Sequence, residues 1–337
     1  MKRIASLDGL RAVSITLVML GHLYGDRGYP QDRLAHWISQ YAHFGVEVFF
    51  VISGFLITSL LLKEEVQQGS VDLRAFYIRR AYRILPAAFA YMAVVAFSTH
   101  ISAKYLLYAV SYTMNYAGQQ RPWLLGHLWS LSVEEQFYLL WPFAFFFLPR
   151  ARRAIAWLVV IMAPVFRVLF WVHGWRDIDE YFPTVADALS IGCLLALYYP
   201  LLRSRLTAIK HPAVCLGLAA AALALPLLLE RRFGALILFR GIVPAVIALL
   251  IVSAVEGQFR ILNNRLATSI GAMSYSLYLW QQPFLNRNGH SWFNAFPVNL
   301  VLVFLCAWIS YRWVEQPILR ARSRTTVMKP KASIAHG

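Results

Sequence analysis

Two polar side chains on one face of the first apolar segment are the residues of this chain best placed to do chemistry. Arg11 and His22 are eleven positions apart, and at about 100° per residue an α-helix brings them to within about 20° of each other. At about 1.5 Å per residue they are separated by roughly 16 Å along the axis, about half of a hydrocarbon core. A charged or titratable side chain at such depth in a membrane costs free energy unless it faces the protein interior or a water-filled cavity. The spacing indicates either chemistry conducted across a bilayer, or a helix-end arginine with a hydrogen-bonded core histidine.

Two carboxylates are candidate neighbours of His22. Glu47 opens the second apolar segment, and Glu134 lies near the start of a later one. A carboxylate beside an imidazole fixes its tautomer and supports it as a general base. The alternative for Glu47 is an interfacial side chain facing water. Ser132 and Glu135 have the spacing of a capping box that begins a membrane helix, which accounts for Glu135 but not for Glu134.

A pair of arginines ends the basic loop predicted over residues 63–83. Arg80 and Arg83 are three residues apart, so on a helical turn they share a face and can hold one phosphate group between them. The alternative is a cluster that stops translocation or contacts anionic lipid.

Three further pairs concern structure more than chemistry. Arg167 and Asp187 have comparable depth in neighbouring spans, and a buried ion pair is the simpler explanation of both. Arg312 and Glu315 are spaced to pair at the membrane interface. Pro317 disfavours helix at Gln316, which predicts that the last span ends there.

The composition indicates a polytopic membrane protein. Of the 337 residues, 59% are hydrophobic and 14% are charged, and the mean hydropathy is +0.54, whereas soluble domains are about a quarter charged. The net charge of +16 is scattered between apolar segments, as in membrane loops, so we do not expect nucleic-acid binding. The three cysteines have neither disulfide nor metal-ligand spacing, and no metal site is predicted.

Apolar runs predict an all-α membrane bundle of about ten transmembrane helices with one short re-entrant or interfacial segment. Residues 104–117 form that segment. If they were counted as a span, clusters of arginines would lie on the extracytoplasmic side, against the usual excess of basic residues in cytoplasmic loops. The ten-helix topology leaves both termini cytoplasmic, with 20 of the 32 Lys and Arg residues inside, eight outside and four within spans. The predicted domain covers residues 1–320, and residues 321–337 form a short basic cytoplasmic tail. The ten spans are 9–26, 43–62, 84–101, 128–148, 153–172, 184–200, 212–229, 235–255, 268–286 and 296–314.

Six motifs in order resemble the acyltransferase 3 family of bacterial inner-membrane O-acyltransferases. The resemblance covers residues 5 to about 320, and one departure from it is Glu47, where the family usually has aspartate. The motifs are Ser6–Ala12 with its Arg-x10-His spacing to His22, Gly45–Phe55, Arg80-x-x-Arg83, Trp129–Tyr138, Tyr275–Trp280 and Trp313–Pro317.

The resemblance implies transfer of an acyl group, most often acetyl, from cytoplasmic acetyl-CoA to a hydroxyl of an extracytoplasmic glycan or lipid-linked saccharide. It implies that Arg80 and Arg83 hold CoA phosphates, that Arg11 binds the donor or stabilises developing charge, and that His22 is a general base or a transient acyl carrier. Glu47 or Glu134 would orient His22. The alternative from another class is a transporter of a lipid-linked sugar or anion. Candidates for substrate contact or structural support are Asp8, Tyr278 and Glu315.

Overall fold

A computed structural model describes residues 4–175, 177–205, 207–230 and 241–327. All regular secondary structure in these ranges is helical, as the apolar composition predicts. The α-helices, in chain order, are α1 (Ala5–Leu23), α2 (Arg33–Ser39), α3 (Ala42–Gln68), α4 (Leu73–Ser98), α5 (Ala103–Val110), α6 (Trp123–Gly126), α7 (Leu128–Phe147), α8 (Arg152–Val172), α9 (Phe182–Arg205), α10 (Pro212–Glu230), α11 (Ile242–Gly257), α12 (Arg260–Asn263), α13 (Arg265–Ala272), α14 (Ser274–Trp280), α15 (Val298–Ile309) and α16 (Gln316–Val327).

Five helical stretches in the described ranges are long and apolar enough to cross a membrane. They are Arg33–Gln68, Leu73–Ser98, Arg152–Val172, Phe182–Arg205 and Val298–Ala321. Two other long helices, α1 and α7, are more polar: α1 contains Asp8, Arg11 and His22, and α7 contains Glu134 and Glu135. The candidate residues Arg11, His22 and Glu134 therefore lie on helices that are less apolar than these five, whereas Arg80 and Arg83 lie on α4, which is one of the five.

Close backbone contacts bring α1, α3 and α9 together at the centre of the bundle. A Cβ atom at Gly54 would lie 1.9 Å from the carbonyl oxygen of Leu189 in α9, and one at Gly45 would lie 2.6 Å from that of Ser14 in α1. Only glycine permits backbones to approach this closely, as at other small-residue helix interfaces. α3 thus holds α1, with Arg11 and His22, against the core.

Two predictions about chain segments can be compared directly with the structure. Residues 104–117 do not form a spanning helix: α5 has eight residues, about 12 Å long, and a 3-10 turn at Met114–Tyr116 follows it. Most of the predicted loop 63–83 is helical, because α3 continues to Gln68 and α4 begins at Leu73. Asp72 caps α4 by accepting the Ala75 N–H at 2.9 Å. Arg80 and Arg83 therefore lie on a helix.

The predicted span over residues 268–286 is not one continuous helix. The segment is broken at Met273 into α13 and α14, and the regular helix α14 ends at Trp280, followed by turns. Tertiary contacts hold α14 in place: the Tyr275 hydroxyl donates to the Ile84 carbonyl at 2.8 Å, and the Ser276 hydroxyl donates to Glu315. Discontinuous membrane helices of this kind are tolerated where they line a cavity.

The prediction that the last span ends at Gln316 is also wrong. α15 passes through a π-helical turn, Ser310–Glu315, into α16, and Gln316 keeps helical angles of φ −61° and ψ −44°. The wider turn joins the Gln316 N–H to the Tyr311 carbonyl, so Pro317 lies in the first turn of α16, where its missing N–H costs little. Glu315 does not face the interface: it is 7% exposed and accepts from Ser276.

The capping-box interpretation of Ser132 is wrong because α7 begins earlier, at Leu128. The Ser132 hydroxyl donates to the Leu128 carbonyl at 2.8 Å and accepts the Met114 N–H at 3.2 Å. It therefore ties the turn after α5 to the side of α7.

The predicted buried ion pair between Arg167 and Asp187 is confirmed. Their side chains are 3% and 2% exposed, and Arg167 also donates to the Thr184 carbonyl at 2.8 Å. This pair joins α8 to α9 in a region where neither charge is tolerable alone.

Removing one charge of this pair is expected to destabilise the bundle. Arg167→Leu leaves the Asp187 carboxylate buried without its partner, at a cost of about 3–5 kcal/mol, or about 5–10 °C in melting temperature. The double variant Arg167→Leu/Asp187→Leu should recover most of the loss. Thermal unfolding in detergent measures both. Arg203→Gln is the control, because Arg203 is 63% exposed beside Glu256 and such pairs contribute little. Equal stability of Arg167→Leu and the wild type would contradict this account.

Some sequence predictions lie outside the described residues. These are the start of the predicted span 235–255, residues 328–337 of the predicted tail, and several of the basic residues counted for topology. The basic residues concerned are Lys2, Arg3, Arg176, Arg231, Arg232, Arg240, Lys329 and Lys331. The predicted domain boundary at residue 320 falls within α16.

Candidate active site

Two adjoining cavities lie between helices from the beginning and the end of the chain. The N-terminal cavity has a volume of about 470 Å³ and is bounded by residues at the start of α1 and by Leu319 of α16. The arginine cavity, about 100 Å³, lies among α1, α3, α4, α7 and the broken α13–α14 segment. The two cavities share six lining residues and therefore adjoin each other. The shared residues are Arg11, Ser53, Arg80, Arg83, Ala272 and Glu315.

Three arginines, Arg11, Arg80 and Arg83, line both cavities; two of them, Arg80 and Arg83, share a helix face, as their spacing predicts. Arg83 is exposed, while Arg11 and Arg80 are half-buried. The Nε atoms of Arg11 and Arg80 are buried without a hydrogen-bond partner, and within the described ranges no ion pair includes any of the three arginines. Arg80 stacks on the Tyr138 ring, with 3.7 Å from Cζ to the centroid. Unpaired guanidinium donors that converge on a cavity form a binding site for phosphate or another anion.

Carboxylates surround the arginines without neutralising them by direct contact. Glu134 lines the arginine cavity and accepts the Ser53 hydroxyl at 2.6 Å. Glu315 lines both cavities, and Asp8, which is 8% exposed, lines the N-terminal one. Glu134 is therefore grouped with the arginines, whereas the sequence suggested it as a neighbour of His22.

His22 lines a third space, the histidine cavity, of about 340 Å³. Its ring meets Trp123 edge to face, with centroids 5.8 Å apart, and the Gln281 amide faces it. The walls combine aromatic rings with polar side chains, including an ion pair between Arg121 and Glu180. The residues that line the cavity are Val18, His22, Ala42, His43, Val46, Gln119, Arg121, Trp123, Gly126, His127, Trp129, Glu180, Tyr278 and Gln282.

Glu47 is not among the residues that line the histidine cavity. It borders a separate void of about 10 Å³ together with Arg167 and Asp187. The position of Glu47 therefore associates it with the buried ion pair that joins α8 to α9. Neither carboxylate suggested as a partner of His22 shares the cavity of His22.

Tyr278 stands where the arginine and histidine cavities meet. It lines both, as does Val46. Its hydroxyl donates to the His127 carbonyl and lies 2.8 Å from Ser130 Oγ. These contacts fix the ring between the arginine cavity and the histidine cavity, which adjoin each other at Val46 and Tyr278.

Two carboxyl groups outside the membrane helices have perturbed titration. Asp26, in the turn after α1, is 2% exposed, and its burial raises its pKa to about 7; the hydrogen bond from Asn299 (2.8 Å) and the charge of Arg287 act in the opposite direction. Burial also raises the pKa of Glu180, against the effect of its partner Arg121. Asp26 is thus partly protonated near neutral pH.

Several residues of the histidine cavity were missed by sequence reasoning. Arg121, Trp123 and Glu180 lie in short connections without periodicity, and only the fold brings them to His22. His127 precedes the Trp129–Tyr138 motif and was the one available signal. It is 5% exposed.

Comparisons with known proteins agree with the sequence motifs. Residues 4–312 match the profile of a family described as an acyltransferase domain. The chain is 30% identical to O-acetyltransferase OatA of Staphylococcus aureus (strain NCTC 8325 / PS 47), over 96% of this chain and 58% of that protein. It is 27% identical to the peptidoglycan O-acetyltransferase OatA of Listeria monocytogenes, over 94% and 56%.

A third relative is the putative peptidoglycan O-acetyltransferase YrhL of Bacillus subtilis (strain 168), which is 29% identical over 94% of this chain and 55% of that protein. The chain therefore spans less than two thirds of the length of these curated relatives. No solved structure matches it.

Proposed function

Since this chain belongs to the acyltransferase 3 family, whose profile it matches over residues 4–312, we propose that it is a membrane O-acetyltransferase. It moves an acetyl group from acetyl-CoA to a hydroxyl of a saccharide on the other side of the membrane. The names of the relatives support acetyl transfer, and two of them support peptidoglycan as the acceptor class. The observation that carries the proposal is a series of three adjoining cavities, with three arginines that form no ion pair in the described residues at one end and His22 at the other.

The donor enters from the N-terminal cavity. Arg80 and Arg83 bind the phosphates of CoA, and Arg11 lies along the path of the acyl-bearing arm. The fit rests on guanidinium groups that face the cavity without carboxylate partners in the described part of the chain, two of them with an unsatisfied buried Nε. Buried donors in this state favour an anionic ligand, because an unsatisfied polar group costs about 1–3 kcal/mol.

His22 acts as general base on the acceptor hydroxyl. As the imidazole takes the hydroxyl proton, the hydroxyl oxygen bonds to the acetyl carbonyl carbon and the carbon–sulfur bond of the thioester breaks. The CoA thiolate leaves and takes the proton back from the imidazolium. Trp123 and Trp129, together with the Arg121–Glu180 pair, offer the rings and polar groups that suit a sugar.

The proposed topology has ten spans with both termini cytoplasmic, in a bacterial inner membrane. It is supported by the grouping of loops: the start of α1 and Leu319 of α16 border one cavity, while Arg121 and Glu180 border the other. In the topology predicted from the basic residues, the start of α1 and Leu319 lie on the cytoplasmic side, and Arg121 and Glu180 lie on the extracytoplasmic side. We propose no metal ion for the reaction and leave the oligomeric state open.

The experiment is acetyl transfer by the purified chain in proteoliposomes. Radiolabelled acetyl-CoA is supplied with peptidoglycan fragments, and label on the saccharide is measured at pH 7. Label on the glycan supports the proposal. A permease, the alternative from sequence, would move the saccharide without acetylating it, and that outcome would contradict an acetyltransferase.

A further inference from the structure

The side chain of Gln281 faces His22 in the closed part of the bundle. Gln281 is 0% exposed, and its amide is the side-chain group that meets the His22 ring. Both polar atoms of the amide and Nδ1 of His22 are buried, and none of the three has a hydrogen-bond partner of good geometry. Since an unpaired buried polar atom costs about 1–3 kcal/mol, the simplest resolution is that these groups satisfy each other.

The backbone around Gln281 is held in place from two directions. Its carbonyl accepts the N–H groups of Phe284 and Leu285 at 3.1 and 2.9 Å, which closes the turn after α14. The next residue, Gln282, exchanges hydrogen bonds with Trp123: Trp123 Nε1 donates to the Gln282 carbonyl at 3.0 Å, and Gln282 Nε2 donates to the Trp123 carbonyl at 2.9 Å. Because Trp123 also packs on the His22 ring, one rigid unit presents both the indole and the amide to His22.

We propose that Gln281 is the positioning residue of His22: its amide oxygen accepts the Nδ1–H and holds the imidazole with Nε2 toward the histidine cavity. The inference rests on the proposed function, in which His22 is the base. It transfers to a neutral amide the orienting role that the sequence suggested for Glu47 or Glu134, both of which line other spaces. An amide in this position serves histidine bases elsewhere, as in the Cys-His-Asn arrangement.

The neutral amide has a chemical consequence. It fixes the tautomer, so that Nε2 has its lone pair available for the acceptor proton, but it does not stabilise the imidazolium as a carboxylate would. The charged and titratable groups around His22 are Arg287, His127, His43 and the Arg121–Glu180 pair. A glutamate at position 281 would therefore add a negative charge at the nearest contact and stabilise the imidazolium more strongly than the amide does, while the more distant groups stay the same.

Two substitutions separate positioning from packing. Gln281→Met keeps the length of the side chain and removes both polar atoms, so we expect acetyl transfer to fall about tenfold to a hundredfold with the melting temperature retained. Gln281→Glu places a carboxylate on Nδ1, so we expect the acidic limb of the pH–rate profile to move up by about one pH unit. Initial rates from pH 5 to pH 9 in proteoliposomes with acetyl-CoA measure both.

The matched control is Gln40→Glu, which adds the same charge beside a different histidine. Gln40 Nε2 lies 3.3 Å from His36 Nε2, and both side chains are exposed outside the cavities, so the pH–rate profile should not move. A wild-type rate for Gln281→Met, or an unshifted profile for Gln281→Glu, overturns the positioning role if His22→Ala is inactive. Full activity of His22→Ala would instead contradict the proposed base, whatever the Gln281 variants do.

Discussion

His22→Ala is expected to lower the rate of acetyl transfer by about 10²- to 10⁴-fold, which is the usual contribution of a general base. The apparent affinity for acetyl-CoA should change little, because His22 lines the histidine cavity and the arginines line the other two. The measurement is initial rate against acetyl-CoA concentration at saturating acceptor. His36→Ala is the control, since His36 is exposed on α2 and borders none of the three cavities.

The His22 prediction has a clear opposite. If transfer by His22→Ala equals that of the wild type, the general base is another group, and His127, which lines the same cavity, is the next candidate. If His22→Ala loses rate only through a raised KM for acetyl-CoA, then His22 binds the donor, and the separation of donor and acceptor regions is wrong.

Arg83→Gln is expected to act in the complementary way, by raising the KM for acetyl-CoA about tenfold to a hundredfold with a smaller change in kcat. The loss of one charge-assisted hydrogen bond, about 1.5–3 kcal/mol, corresponds to that factor. Arg80→Gln should behave similarly, and the stacking of Arg80 on Tyr138 should make Arg80→Lys a poor rescue.

Arg79→Gln is the matched control for the arginine variants. Arg79 is on the same helix, but its guanidinium pairs with Glu64 at 2.5 Å and does not line the arginine cavity. Suppose that Arg83→Gln, Arg80→Gln and Arg80→Lys retain the wild-type KM but change membrane orientation, as reported by cysteine labelling from each side. The arginines would then determine topology and would not bind the donor.

The sequence predicted individual features of the site better than which residues lie together in one cavity. The helical face shared by Arg11 and His22 follows from period alone, and α1 is an unbroken helix from Ala5 to Leu23. The Arg80–Arg83 pair faces one cavity as predicted, although the predicted loop around it is helix. The Arg167–Asp187 pair was predictable because two lone charges in a membrane are costly.

The partners of His22 could not be predicted, because sequence depth does not give helix rotation. Glu47 and Glu134 were predicted at a depth similar to that of His22, but each lines a space other than the histidine cavity. Gln281 follows a helix break that no periodic pattern indicates. The error at Pro317 was of the opposite kind: its local preference predicted a helix end, whereas the helix continues through a π-helical turn.

In the proposed mechanism, the adjoining cavities connect a donor site on one side of the membrane with a base that acts on the other. The most direct test of this mechanism uses proteoliposomes of uniform orientation, with radiolabelled acetyl-CoA confined to the face of the N-terminal cavity and membrane-impermeant saccharide confined to the opposite face. The account predicts label on the saccharide in this arrangement, loss of label with His22→Ala, and none when donor and acceptor compartments are exchanged. Transfer only when donor and acceptor share one compartment would contradict it.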